Sequence, residues 1–215
     1  MKKHPVDLRV LLSLLAVVVL GGGIALITVG SSAAPKKHAA AGQASFEASG
    51  VLSPVAAAPP LTLRNHLGQP FDINAYKGKA VLVTFIYTHC PDVCPLITSN
   101  LRVAQNLLSP SVRPKVAIVA VSVDPKGDTP KAITAFLSRH EMTGRMQYLV
   151  GSAHELARAW QAWGVGSERD TTKPELVNHS GLVYGVTGSG KRLTIYAANF
   201  QPAEIAHDVP LLAAR

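Results

Sequence analysis

The amino-acid sequence predicts an α/β fold, with a central mixed sheet flanked by helices and an N-terminal membrane helix in front of it. The first observation is the alternation of continuous apolar, β-branched segments with segments whose apolar residues recur at helical spacing. The second is the end of the chain, where two strands joined by a Gly-rich turn precede a helix. A terminal β-hairpin plus helix after alternating strands and helices is the thioredoxin-like arrangement. The third is an uncharged segment near the N-terminus.

This uncharged segment covers residues 10–29, and about twenty apolar residues can span a bilayer as a helix. The basic residues before it, Lys2, Lys3 and Arg9, predict a cytoplasmic N-terminus. Residues 1–30 therefore predict a single-pass anchor in the cell (inner) membrane, with the following domain on its outer face. A cleaved signal peptide is the alternative, since Ser31-Ser32-Ala33 could serve as a cleavage site. Both interpretations export the domain to a compartment where thiols meet oxidants.

The remainder of the chain divides into a linker and one domain. Residues 31–60 are rich in Ala, Ser, Gly and Pro and predict a flexible linker. The alternative, which we do not adopt, is that Phe46, Val51 and Leu52 add a short strand to the edge of the domain. Residues 61–215 suffice for one ordinary domain. In chain order we predict a hairpin over 61–73, strands at 80–86, 116–123, 146–150, 182–186 and 193–196, helices at 96–108, 131–140, 152–163 and 201–212, and a loop over 164–177.

Composition argues against a nucleic-acid-binding protein and against a small domain stabilised by several disulfides. The net charge is +8, but no run of Lys/Arg with interleaved aromatic residues occurs, which argues against a nucleic-acid surface. Two cysteines are too few for a disulfide framework. The chemistry is therefore expected at the cysteines themselves.

Both cysteines, Cys90 and Cys94, lie where strand 80–86 passes into the next helix. Residues four apart share a helix face, so both sulfurs can approach one point. The N-terminal end of a helix favours thiolate, the form that binds metal or attacks a disulfide. The plainer alternatives are two small buried apolar side chains or one static disulfide.

The spacing of the two cysteines bears on the choice between redox and metal chemistry. Thioredoxin-type pairs have two intervening residues, whereas three lie between Cys90 and Cys94, which leaves room for a metal. Two thiolates suit Cu(I) or zinc, but structural zinc requires four ligands and no third cysteine exists. Two thiolates plus one histidine would suit copper better. Of the eight histidines, His179 is the candidate, because it stands at the entry to strand 182–186 after a polar loop. A histidine with a purely structural role is the alternative.

Three motifs together resemble the signature set of the Sco (SenC) family. They are YTHCPDVCP at 87–95, VSVDP at 121–125 with DTP at 128–130, and NHS at 178–180. The resemblance runs from about residue 60 to the end. Members of this family are membrane-anchored copper chaperones with a thioredoxin-like fold that serve assembly of the binuclear copper centre of cytochrome c oxidase.

The resemblance implies that Cys90, Cys94 and His179 bind one copper ion per chain, as Cu(I) or Cu(II). The implied partners are a copper-receiving oxidase subunit, a copper donor and a thiol reductant. One departure is Asn178, where the family commonly has an aspartate that could hydrogen-bond the ligand histidine. Asp124 ends a core strand at the sheet edge where α/β proteins bind ligands, which makes it a candidate contact to the copper site or to a partner.

Two other functions fit the same cysteines. A thiol–disulfide reductase of exported clients would use Cys90 as nucleophile and Cys94 as resolving thiol. A peroxidase of the thioredoxin-like class usually shows Thr-x-x-Cys, and here Thr88 is one position off. His179 distinguishes these functions, because copper binding needs it and thiol exchange does not.

Next to this site, the sequence predicts Asp128 or Thr129 as the N-cap of helix 131–140, with Pro130 at its first position.

Overall fold

The computed structural model describes residues 45–169, 171, 172 and 177–215. The predicted membrane helix and the first part of the predicted linker lie outside the described residues. Within these ranges, no helix is both long enough and apolar enough to cross a membrane.

The domain is organised around β-strands, which are β1 (Gly50–Ala57), β2 (Thr62–Asn65), β3 (Pro70–Asp72), β4 (Ala80–Ile86), β5 (Val116–Ser122), β6 (Met146–Val150), β7 (Ser167–Arg169), β8 (Val177–His179), β9 (Leu182–Val186) and β10 (Lys191–Ala197). Eight of them form a mixed sheet in the order β1-β10-β9-β4-β5-β6-β2-β3, and β7 and β8 form a separate two-stranded ribbon. The helices are α1 (Val93–Leu107), α2 (Pro130–Arg139), α3 (Ala153–Trp163) and α4 (Pro202–Ala213), with short 3₁₀ turns η1 (Ile73–Tyr76) and η2 (Arg113–Lys115).

The three parallel strands β4, β5 and β6 form the centre of the sheet. Every residue of β4 is buried, as expected for a strand that is covered on both faces. Antiparallel β9 and β10 continue the sheet beyond β4, which confirms the predicted mixed sheet. Helices α1 and α4 pack against each other, and the side chains of Phe85, Trp163 and Tyr184 contact one another in the core.

Strand β1 shows that the predicted flexible linker over 31–60 is wrong in its last part. β1 pairs antiparallel with β10, with Gly50 opposite Ile195 and Ala57 opposite Lys191. It is an edge strand whose side chains are mostly exposed, so its backbone hydrogen bonds hold it in place. Small and polar residues can supply such bonds, and composition therefore did not reveal the strand. The domain begins before residue 61.

The segment before β1 is held by one buried carboxylate. Asp208, on α4, accepts hydrogen bonds from the N–H groups of Glu47 at 2.9 Å and Ala48 at 3.0 Å. It also accepts one from the hydroxyl of Tyr196 at 2.9 Å. A buried carboxylate with several donors is well satisfied. The chain before β1 consequently follows α4.

The predicted loop over 164–177 also needs correction. Its ends form the ribbon of β7 and β8, in which Ser167 lies opposite His179. Strands of three residues are too short to show an alternating apolar pattern. The ribbon matters because it carries His179 to the site described next.

Candidate metal centre

The two cysteines lie at the junction of β4 and α1, as predicted. The N–H group of Cys94, in the first turn of α1, donates to Cys90 Sγ at 3.4 Å. That sulfur thus satisfies one of the N–H groups that a helix start leaves free, while the side chain of Asp92 makes no capping hydrogen bond. Cys90 is 8% exposed and Cys94 is completely buried. Both are free thiols.

His179 supplies a third donor atom next to the two sulfurs. Its Nε2 lies 3.6 Å from Cys94 Sγ, and the ligand atoms of Cys90, Cys94 and His179 all lie within 4.8 Å of one another. With metal–ligand bonds of about 2.0 to 2.3 Å, as for zinc, three donors around one ion would be about 3.5 to 4.0 Å apart. The three residues therefore fit a small metal ion. In the part of the chain that the structure describes, this is the one such group of His, Cys, Asp or Glu.

The two thiols differ in acidity. The hydrogen bond from the thiol of Cys94 lowers the pKa of Cys90 to about 4, with a further contribution from the side chain of His179, although burial acts in the opposite direction. Burial raises the pKa of Cys94, and the adjacent Cys90 sulfur raises it further. Without metal the pair therefore carries one thiolate, on Cys90, and one proton, on Cys94.

This difference predicts how iodoacetamide alkylates the reduced protein. The rate constant at Cys90 should stay nearly constant between pH 6 and 8, because the thiolate form is already complete above its pKa of about 4. A thiol with an ordinary pKa of about 8.5 would react about tenfold faster for each pH unit over most of that range. Quenched-reaction mass spectrometry measures both cysteines. Cys94→Ala, which removes this side-chain donor, should restore pH dependence at Cys90, and a tenfold rise per pH unit in the wild type would contradict the prediction.

Tyr87 connects the cysteine loop to the strand that carries His179. Its hydroxyl accepts a hydrogen bond from the N–H of Val177, the first residue of β8, at 3.3 Å. Its ring contacts that of His179 edge-on, with the centroids 5.8 Å apart, and its carbonyl accepts a hydrogen bond from the N–H of Cys90 at 3.4 Å. Nothing in the sequence around Tyr87 indicated this connection. No local pattern could have done so, because its partners lie about ninety residues away in the chain.

Asp128 lies buried beneath the cysteine loop, which corrects its predicted alternative role as a helix cap. Thr129 caps α2, since its hydroxyl accepts from the N–H of Ala132. The Asp128 carboxylate instead accepts from the N–H of Thr88 at 2.8 Å, and also from the hydroxyls of Ser122 at 2.6 Å and Tyr148 at 2.9 Å. Burial raises the pKa of Asp128, and these hydrogen bonds oppose that shift. The carboxylate thus joins the cysteine loop to the end of β5 and to the middle of β6.

Asp124 is buried at the carboxyl end of β5, as its position predicted, but it is not one of the three convergent donors. Its N–H donates to Ser122 Oγ at 3.2 Å. A side chain at position 127 would collide with the Asp124 carboxylate, so glycine is needed there. The ring of His89 also lies close to this position. The contact of Asp124 with a metal or a partner stays a prediction.

Known proteins show the same fold and related sequences. The SCO1/SenC family model matches residues 52–214. The mitochondrial Protein SCO1 homolog of Homo sapiens is 28% identical over 154 residues, which are 70% of this chain and 50% of that protein. The chain thus spans about half the length of this relative.

Two solved structures are similar to about three quarters of this chain or more. The solution structure of apo Sco1 protein from Thermus thermophilus gives a TM-score of 0.67 at 25% identity, covering 80% of this chain and 98% of that one. The structure of Bradyrhizobium japonicum ScoI with copper bound gives a TM-score of 0.61 at 29% identity, covering 73% of this chain and 99% of that one.

Proposed function

Because the chain belongs to the SCO1/SenC family, we propose that it is a copper-binding protein of cytochrome c oxidase assembly, with Cys90, Cys94 and His179 as ligands. The observation that carries this proposal is the convergence of two sulfurs and one imidazole nitrogen within 4.8 Å. The similarity to a ScoI structure with copper bound supports the choice of metal.

The donor set suits a metal that is carried and then handed over. Two thiolates favour Cu(I), and an imidazole allows Cu(II) to be held as well. His179 is half-buried and sits on a two-stranded ribbon, whereas Cys94 is completely buried. A client cysteine would therefore approach from the side of His179 and Cys90 and replace one ligand at a time. The client in this proposal is the copper-receiving oxidase subunit.

The same site requires reduced thiols. A Cys90–Cys94 disulfide would use both sulfur ligands, and its formation from one thiolate and one thiol would pass two electrons to an oxidant and release one proton. An exported domain would meet such oxidants. The proposal therefore includes a copper donor, a thiol reductant and the predicted membrane anchor that keeps the domain on the outer face.

A thiol–disulfide reductase is the second candidate, and the lowered pKa of Cys90 favours it. The Cys90 thiolate would attack a client disulfide, and one client sulfur would leave as a thiol. Cys94 would then resolve the mixed disulfide, which gives a Cys90–Cys94 disulfide and a client with two thiols. Unlike copper binding, this reaction has no step that requires His179.

Copper titration of the reduced and oxidised protein tests the proposed function. We expect the reduced protein to bind one copper ion per chain, and the oxidised protein to bind none, because a disulfide removes both sulfur ligands. Elemental analysis after gel filtration, together with thiol counting, measures both. The double variant Cys90→Ser, Cys94→Ser is the control and should bind no copper. Copper retained by the oxidised protein would contradict the site, and reduction of a client disulfide without copper binding would favour the reductase.

A further inference from the structure

Six exposed basic residues lie at the end of the sheet opposite the candidate metal centre. Two precede β4, two precede β5, one begins β10, and one follows α4. The cysteines follow the carboxyl end of β4, to which β5 is parallel, so residues before these strands lie at the other end. β10 runs in the same direction as β4 because both are antiparallel to β9, and α4 returns to the amino ends of these strands. We call this surface the basic pole, and it consists of Lys77, Lys79, Arg113, Lys115, Lys191 and Arg215.

Contacts between the segments show that the basic pole is one surface. The N–H of Gly78 donates to the carbonyl of Gly188 at 2.8 Å, and the N–H of Gly188 donates to the carbonyl of Leu212 at 2.9 Å. A shallow cavity of ≈ 200 Å³ lies between them. Its lining is mainly small or apolar and consists of Gly78, Val112, Lys115, Pro210, Ala213 and Ala214.

No acidic side chain in the segments that form this surface offsets its positive side chains. The segments 73–79, 109–115, 187–191 and 209–215, which carry all six residues, contain no Asp or Glu. Throughout the described ranges, none of the six forms an ion pair with an acidic side chain. The acidic residue nearest in sequence, Asp72, caps η1 by accepting from Asn74. The basic pole thus presents cations around a partly apolar depression.

The first described residues lie along α4 and lead toward this same pole. Ser49 accepts a hydrogen bond from the N–H of Ala197, at the end of β10, and the N–H of Glu47 donates to Asp208 in α4. The ring of Phe46 lies 4.6 Å from the guanidinium carbon of Arg215, beyond the end of α4. The first described residues therefore lie beside the basic pole.

We propose that the basic pole docks on anionic phospholipid headgroups and holds the domain with its copper-binding edge directed away from the bilayer. Lys and Arg side chains near an anionic membrane surface each strengthen binding by about fivefold, and the attraction falls off within a Debye length of about 8 to 10 Å. Docking would present the metal centre to the soluble domain of a client rather than to lipid. The proposal rests on the membrane location in the proposed function, but its test needs neither copper nor the anchor.

Vesicle binding by residues 45–215 tests the proposal. This part includes the core residues and lies within one compact unit, and the matched relatives' structures consist almost entirely of the equivalent domain. We expect it to co-sediment with vesicles made of equal parts of phosphatidylglycerol and phosphatidylcholine, and to be released by high salt. Vesicles of phosphatidylcholine alone should not bind it.

A matched pair of charge-reversal variants locates the surface. Lys77→Glu with Lys115→Glu should lower the partition coefficient by at least about 25-fold. Lys126→Glu with Lys131→Glu changes the net charge equally, but on exposed residues next to the other end of the sheet, and should leave most of the binding intact. Copper stoichiometry should be unchanged in both. Equal losses in the two variants, equal binding to neutral vesicles, or binding to heparin without binding to vesicles would each overturn the proposal.

Discussion

Replacing His179 by alanine should weaken the affinity of the reduced protein for copper by about 100-fold or more, and more strongly for Cu(II) than for Cu(I). The reason is that an imidazole is the donor that suits Cu(II), whereas two thiolates alone can still hold Cu(I). The fold should persist, because His179 is half-buried, with Nδ1 3.3 Å from the Ser180 carbonyl and its ring against Tyr87. We expect a loss below about 1 kcal/mol in the free energy of unfolding.

Competition with a chromophoric chelator under anaerobic conditions measures the Cu(I) affinity of this variant. His89→Ala is the matched control, because His89 adjoins Cys90 in sequence but is exposed and is not among the three convergent donors. It should bind copper like the wild type. The Cys₂His site would be refuted if His179→Ala bound as tightly as the wild type, or if His89→Ala lost as much affinity.

Replacing Asp128 by alanine should lower the free energy of unfolding by about 3 to 5 kcal/mol. The carboxylate accepts from Thr88, Ser122 and Tyr148, and its loss leaves the buried N–H of Thr88 without its acceptor. The Tyr148 hydroxyl can still donate to the Ile86 carbonyl, 3.2 Å away, which limits the cost at that residue. Urea unfolding of the reduced, metal-free protein measures the change.

Asp128→Asn is the matched control for this prediction. It retains one carbonyl oxygen for the Thr88 N–H, and both hydroxyls can rotate to accept from the new amide. We expect it to cost clearly less than Asp128→Ala. Thr129→Ala removes the cap of α2 and should cost about 1 kcal/mol. If Asp128→Ala lost no more stability than Thr129→Ala, the carboxylate would not be the junction that its contacts indicate.

Local patterns in the sequence were sufficient for much of the fold. Strands 80–86 and 146–150 have the predicted bounds. Strand 80–86 is buried on both faces, which is why its sequence is a nearly continuous apolar segment. The helices agree within a few residues, since caps such as Ser152 and Thr129 are local features. The position of Cys90 and Cys94 between a strand and a helix follows from the same local patterns.

Several features of the fold and of the site could be seen only in the tertiary structure, mostly because they join residues that are distant in the chain. Strand β1 forms through backbone pairing with β10, which is distant in the chain, and its exposed side chains leave no periodic signature. Strands β7 and β8 pair with each other, but at three residues each they are too short to show one. The approach of His179 to Cys94 joins residues 85 positions apart, and the hydrogen bond from Thr88 to Asp128 joins residues 40 apart. The sequence by itself therefore determined which residue types are available for the site. Packing of the sheet and helices determined which of them meet, because each such contact depends on how several elements are placed together.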